Sequence, residues 1–262
     1  MLNAAFEACE SRGVEPSLFY TGIVAELYRP LRLVTQDPEP YARFIGLSGE
    51  PALELGCGDG HPLLELRRRG IDIEGIDSSS DMLERCVRMA SRLGIDVVVH
   101  HQKMEELNLS RRYRSVFLAG PTFNLLPNDD AAASALACIR DHLADGGSAL
   151  IPLFIPPPTP DDQLGQVREA TEADGANIRV SAIAEERDET RRSQQTIMRY
   201  ERFRGGRRTA VDRPWTVHWH SQEGFRTLVA EAELTTAAVL DAAGQPAAPD
   251  ADVFVFWLRG AP

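Results

Sequence analysis

Leu53-Glu54-Leu55-Gly56-Cys57-Gly58-Asp59-Gly60 begins as an apolar run and then places a glycine at every second position. A buried strand that ends in glycines and leads into a helix is a general device for holding a nucleotide. The missing side chains let the backbone approach closely, and the first N–H groups of the helix face the ligand. The form here is Glu54-x-Gly56-x-Gly58-x-Gly60. It lacks the G-x-G-x-x-G spacing of dinucleotide folds and the G-x-x-x-x-G-K-[ST] of a phosphate loop, and no lysine follows to grip a triphosphate. Asp77 ends the next strand-like segment, and a carboxylate there can accept hydrogen bonds from ribose hydroxyls. Nicotinamide enzymes use the same acid, so dinucleotide binding competes. The glycine spacing and the absence of a second dinucleotide half argue against it.

Outward from the loop, residues 50–155 alternate strand and helix. Strands are expected at Pro51–Leu55, Ile71–Ile76, Ile95–Val99, Ser115–Ala119 and Ser148–Phe154. One helix opens at His61-Pro62 and closes at Gly70. A second is capped by Ser78 or Ser79 and lines one face with Leu83, Val87, Ala90 and Leu93. A third starts at Asp129 or Asp130, buries Leu136, Ile139 and Leu143, and ends at Gly146-Gly147. That rhythm means an α/β fold with a parallel sheet and crossover helices on both faces. Upstream, Phe19, Ile23, Leu27, Leu31 and Val34 recur at helical spacing within a helical opening of residues 1–46. Pro156-Pro157-Pro158-Thr159-Pro160 interrupts the alternation and marks a boundary. Beyond it, Ile178–Ile183, Thr196–Phe203 and Thr209–Trp219 read as antiparallel strands, with Gly205-Gly206 as a hairpin signal. Ser221 starts a further helix, and Leu234–Leu240 and Val253–Leu258 read as a closing antiparallel pair. The expected parts are therefore 1–46, 47–155, 156–219 and 220–262.

The chain has 262 residues, 43% of them apolar, and a formal net charge of −11. A protein this acidic approaches a phosphate backbone poorly unless it carries a basic patch. Cys9, Cys57, Cys86 and Cys138 form no C-x-x-C pair, so free thiols in a reducing cytoplasm are expected, with no metal site. No run approaches the roughly 20 apolar residues of a membrane span, and no basic, apolar leader opens the chain.

Taken together, Glu54 to Gly60, Asp77 and the ordered strand–helix units over residues 20–155 resemble the class I S-adenosylmethionine-dependent methyltransferases. The resemblance implies a doubly wound, Rossmann-like, seven-stranded, mostly parallel sheet with an N-terminal helical lid and an antiparallel insert after strand five. It implies S-adenosylmethionine as the cofactor. Glu54, Gly56, Gly58 and Asp59 would meet its methionine part and ribose, Asp77 its ribose, and Met82 with Ser78 its adenine. The segment Gln102-Lys103-Met104 would flank the adenine; Lys103 stands where the family often has an acid. Ala119 opens the segment that runs past the sulfonium. Met82 and Met104 equally suit plain core packing.

The acceptor is read from other features. Gly120-Pro121-Thr122-Phe123 is not the [DNS]-P-P-[FYW] motif of enzymes that methylate nucleobase amino groups or glutamine side chains. The pattern resembles the small-molecule branch, which includes sugar amine dimethyltransferases and natural-product enzymes, and implies an N or O nucleophile. Tyr20 and Tyr28 on the lid would touch the methionine end or the substrate, or pack on the core. His218 and His220 alternate around Trp219 and are the candidate bases, with Asn124 a further substrate-side candidate. His61 is expected to border the cofactor, and His100 and His101 to lie beside it or at the surface. Arg191, Arg192, Arg199, Arg202, Arg204, Arg207, Arg208 and Arg213 form a basic run that suits RNA. The acids within and before it favour a solvated hairpin with cross-strand pairs. RNA methylation and a non-methylating cofactor-binding protein remain as alternatives, and a homodimer through the antiparallel layer is a further expectation.

Overall fold

Every residue of β1 (Ala52–Leu55) is buried, because parallel neighbours flank it on both sides. The computed structural model describes residues 19–31, 36–160, 162–172 and 174–260. The first 18 residues, with Cys9, and residues 32–35, with Val34, lie outside the described residues. In chain order the further elements are α1 (Ile23–Leu31), α2 (Glu39–Ser48), α3 (Leu63–Arg68), β2 (Ile73–Asp77), α4 (Ser80–Leu93), β3 (Val98–His101), β4 (Tyr113–Leu118), α5 (Asp129–His142) and β5 (Leu143–Phe154). These are followed by β6 (Val167–Thr171), β7 (Asn177–Asp188), β8 (Ser193–Arg204), β9 (Arg207–His218), α6 (Gln222–Glu231), β10 (Leu234–Leu240) and β11 (Val253–Gly260). The chain divides into two units, one of residues 35–155 with 219–262 and the other of residues 1–34 with 156–218.

The first unit holds a seven-stranded sheet in the order β10-β11-β5-β4-β1-β2-β3. β5, β4, β1, β2 and β3 run parallel, and β11 is antiparallel to both of its neighbours. This is the doubly wound, mostly parallel sheet expected, with β6 to β9 inserted after strand five. One core cluster packs Leu136 and Ile139 of α5 and Phe225 of α6 against Phe254, Phe256 and Leu258 of β11. The other packs Tyr41, Phe44 and Ile45 of α2 with Leu63, Leu66, Leu83 and Cys86.

Several local expectations shift. Ser79, not Ser78, caps α4 by accepting the Met82 N–H, and Gly94 closes it in a left-handed conformation. The buried face of α4 is Met82, Leu83, Cys86 and Ala90; Val87 and Leu93 are exposed. β3 starts at Val98 rather than Ile95, because the Ile95 N–H is taken by Ala90 O in the helix-ending turn. α5 is capped by Asn128 and ends at His142, so Leu143 and Gly146-Gly147 belong to the strand that follows. There the pairing with β4 shifts register between Tyr113 and Ser115. A Cβ on Gly147 would stand 2.8 Å from Ala144 O, which only a glycine avoids.

The second unit is the antiparallel sheet β6-β7-β8-β9 with α1. Phe19, Val24, Leu27 and Leu31 pack on Ile178, Val180 and Tyr200. Arg204 pairs with Arg207 across Gly205 and Gly206, whose φ values of 53° and 74° suit the two-residue hairpin turn. β6 is a strand with no counterpart among the expected elements. The opening 46 residues, taken from the sequence as one part, are divided: α1 belongs to this unit and α2 to the other. The arginine run is largely paired with acids. Arg199 meets Asp212 through two bonds of 2.7 Å, Arg202 meets Glu172 at 2.7 Å and Glu26 at 2.6 Å, and Arg208 meets Glu201 at 2.6 Å. Arg204 and Arg191 pair with Asp174 and Asp188. Among the described residues no helix is long and apolar enough to cross a membrane.

Candidate cofactor site

The glycine loop leaves β1 with Gly56, Gly58 and Gly60 at φ values of 69°, 52° and 92°. These are left-handed conformations that glycine adopts without strain. The loop is also tightly packed. A Cβ on Gly56 would stand 2.7 Å from Thr122 Cγ2, and one on Gly60 would stand 2.7 Å from Cys86 Sγ. The Leu64 N–H donates to Gly60 O at 2.9 Å, so the loop passes straight into α3.

Asp77, at the end of β2, is tied to this loop. Its Oδ2 accepts the Gly58 N–H at 2.8 Å and its Oδ1 accepts the Ser79 N–H at 2.8 Å. Burial raises the pKa of the carboxyl above the ordinary aspartate value; the two amides and His101 pull it the other way. Met82 is buried one turn into α4, with its Cε 3.4 Å from where a Gly58 Cβ would lie. Ser78 is placed beside the site through its carbonyl, which accepts from His101 Nε2 at 2.9 Å.

Glu54 is fully buried on β1. Neither carboxyl oxygen has a hydrogen bond of ordinary geometry among the described residues. Burial, Asp77 and Asp59 push its pKa well above the usual carboxylate range, and the Leu63 amide offsets only part of this. Sequence reasoning missed Tyr41 of α2, which stacks on Phe117 with ring centroids 5.1 Å apart. Its hydroxyl is pushed up to about 12 by burial and by Glu54, with the Gly120 backbone amide acting in the opposite direction. Gln36 was also missed. Its carbonyl meets His61 Nε2 at 2.6 Å, and its amide nitrogen lies 2.9 Å from where a Gly120 Cβ would be. Neither residue belongs to a local motif; only the hydrophobic face of α2 hinted that Tyr41 turns inward.

The remaining candidates separate. Ala119 packs at the edge of the cluster under α2 and α3, and Met104 packs against the main core. Lys103 is half-buried, with its Nζ 3.8 Å from Glu106. Asn124 is buried, with Nδ2 donating to Phe154 O at 2.9 Å and Oδ1 accepting the Phe154 N–H at 3.2 Å. It clips the segment after β4 to the end of β5. His218, Trp219 and His220 are all buried. His220 lies against the rings of Phe123 and Phe225, with its Nδ1 3.6 Å from Asp129 Oδ1. His100 is held by Glu74 at 2.8 Å, within a group that also includes Arg111 and Tyr113. In the other unit Tyr20 and Tyr28 pack edge-to-face at 5.5 Å.

S-adenosylmethionine fits this donor set. It carries two cations, an α-ammonium and a sulfonium, and the loop gathers the buried carboxyls of Glu54 and Asp59 with the half-buried one of Asp77, none of the acids around Glu54 bringing a counter-charge.

Comparison with known proteins agrees with the geometry. Residues 52–147 match the family model described as a methyltransferase domain. The chain is 29% identical over 188 residues to a dTDP-3-amino-3,6-dideoxy-alpha-D-glucopyranose N,N-dimethyltransferase from Streptomyces fradiae, covering 67% of this chain and 71% of that protein. The fold is shared with the CcbJ methyltransferase from Streptomyces caelestis, with TM-score 0.76, 19% identity and coverage of 94% of this chain and 99% of that one. It is also shared with the sugar N-methyltransferase KedS8 from Streptoalloteichus, with TM-score 0.67, 18% identity and coverage of 92% and 89%. A glycine loop tied to the acid of the second strand, a sheet of this order and a matching domain lead to one conclusion: residues 52–147 form a methyltransferase domain, in a chain similar to the class I S-adenosylmethionine-dependent methyltransferases.

Proposed function

We propose that the protein transfers a methyl group from S-adenosylmethionine to an amine nitrogen of a small molecule, of the amino-sugar or natural-product kind, by in-line displacement. The observation that carries the donor half is the bracket that Asp77 makes with the Gly58 and Ser79 amides. The acceptor half rests on the similarity to an amino-sugar N,N-dimethyltransferase. A hydroxyl oxygen is the alternative nucleophile. Against the RNA reading stand the acid partners of Arg191, Arg199, Arg202, Arg204 and Arg208, which leave little unpaired charge for a phosphate backbone.

The bound cofactor supplies a methyl group made electrophilic by its sulfonium. The chain's work is then alignment and exclusion of water, which together supply most of the acceleration in such a displacement. In this reading Glu54 and Asp77 hold the cofactor, Met82 packs on the adenine beside Ser78, and Met104, Lys103 and Ala119 border it. Tyr20 belongs to the lid. An acceptor ammonium must lose a proton before it attacks. His220, whose Nδ1 lies 3.6 Å from Asp129 Oδ1, is the first candidate base, and His218 is the second. The free thiols Cys57, Cys86 and Cys138 suit a reducing cytoplasm. Sedimentation would test the homodimer.

The test is detection of S-adenosylhomocysteine with a panel of amino sugars and other amines, with RNA in parallel. Turnover on an amine is the expected result. Turnover on RNA alone, or none with any acceptor despite cofactor binding, would overturn it.

A further inference from the structure

We propose that Glu54 is the charge reader of the cofactor pocket: it holds a proton when the pocket is empty and releases it to solvent when the cationic cofactor binds. The inference rests on the cofactor reading above and names what one buried residue does within it. Glu54 lies on β1 with no exposed surface, and neither oxygen finds an ordinary hydrogen bond among the described residues. No lysine or arginine pairs with it among those residues.

The groups facing Glu54 come from every neighbouring element. β2 contributes Asp77, the glycine loop contributes Asp59 and the Cys57 thiol, α2 contributes the Tyr41 phenol, and α3 contributes the Leu63 amide. Two of these are acids, two are weak acids whose own ionisation burial opposes, and one is a single neutral donor. A carboxylate left charged in such surroundings lacks a counter-charge, so it takes up a proton. Asp77 differs, because two backbone amides already hold its oxygens. A ligand bearing an ammonium and a sulfonium brings the missing counter-charge. The carboxyl O–H bond then breaks, its proton passes to the buffer, and the carboxylate stays behind beside the cation.

The experiment is calorimetry of the intact protein with S-adenosylmethionine near neutral pH, in phosphate and in imidazole, whose ionisation enthalpies differ. Heats that differ between the buffers by the release of about one proton are expected. The release is expected to disappear in Glu54→Gln, which keeps the shape and has no proton to give. S-adenosylhomocysteine keeps the ammonium and lacks the sulfonium. Release with both ligands supports reading of the ammonium; release with S-adenosylmethionine alone supports reading of the sulfonium. Binding of the native protein with equal heats in both buffers would overturn the proposal without recourse to any variant, as would undiminished release in Glu54→Gln. Absence of binding by the native protein would overturn the cofactor reading instead.

Discussion

Asp77 reaches back across 19 residues to accept the backbone N–H of Gly58 at 2.8 Å, joining the end of the second strand to the middle of the glycine loop. The same carboxylate also accepts from Ser79, so one side chain sets the loop and the start of α4 together.

Replacing Asp77 therefore removes a loop tether and, in the proposed reading, a cofactor contact at once. Hydrogen bonds to a charged group contribute about 1.5–3 kcal/mol each. Asp77→Ala is expected to weaken S-adenosylmethionine binding by roughly 100-fold or more, with Asp77→Asn intermediate. Titration calorimetry on protein whose circular dichroism is unchanged is the check; equal affinity for native and Ala forms would contradict it.

Gly56→Ala meets two obstacles, a φ of 69° and Thr122 Cγ2 at 2.7 Å. Together they should cost about 2 kcal/mol or more of stability. Adding Thr122→Ser removes the methyl and should recover part of that loss, leaving the backbone strain. Urea midpoints of the two single variants and the double variant give the coupling, and strict additivity would show that the contact does not matter.

Asn124→Ala deletes both bonds to Phe154 and should lower stability by about 2 kcal/mol. Cofactor affinity should stay within about twofold. A large fall in kcat at native stability would return Asn124 to the reacting centre.

The pH dependence of stability offers a separate reading of Glu54. Its carboxyl titrates above its ordinary range in the folded chain. Between that ordinary range and the raised folded value, the native state holds a proton that the unfolded chain has lost. Stability consequently falls as pH rises through that window. Without cofactor, Glu54→Gln should gain in Tm over the native protein as pH rises, and the two should converge in acid. Curves that stay parallel would count against it.

The loop and its acid were legible because their signals are local: glycines where φ is positive, a serine at a helix start, an acid closing a strand. The arginine run was legible as a paired hairpin because the acids sit at strand spacing from it. β6 escaped because its alternation, Val167 to Thr171, carries little apolar weight at a sheet edge. Val87 and Leu93 satisfied helical periodicity, yet they are exposed, since a periodic pattern does not fix how wide the buried face of a helix is. The same holds for Tyr41, Gln36 and the amide of Asn124. Their partners are set by tertiary contact, and no spacing along the chain encodes them.

The pairing of β5 with β11 has a consequence for how the chain is made. Phe154 lies opposite Val253, and the whole antiparallel sheet β6–β9 is synthesised between them. Until β11 leaves the ribosome, β5 presents an unpaired edge with Ile151 and Leu153 ready to bury, and Phe254, Phe256 and Leu258 have yet to arrive. Closing that edge is a late, long-range event in synthesis, slow in the way that non-local strand pairing is slow. A nascent chain stalled before Val253 carries a sticky strand that other chains can pair with.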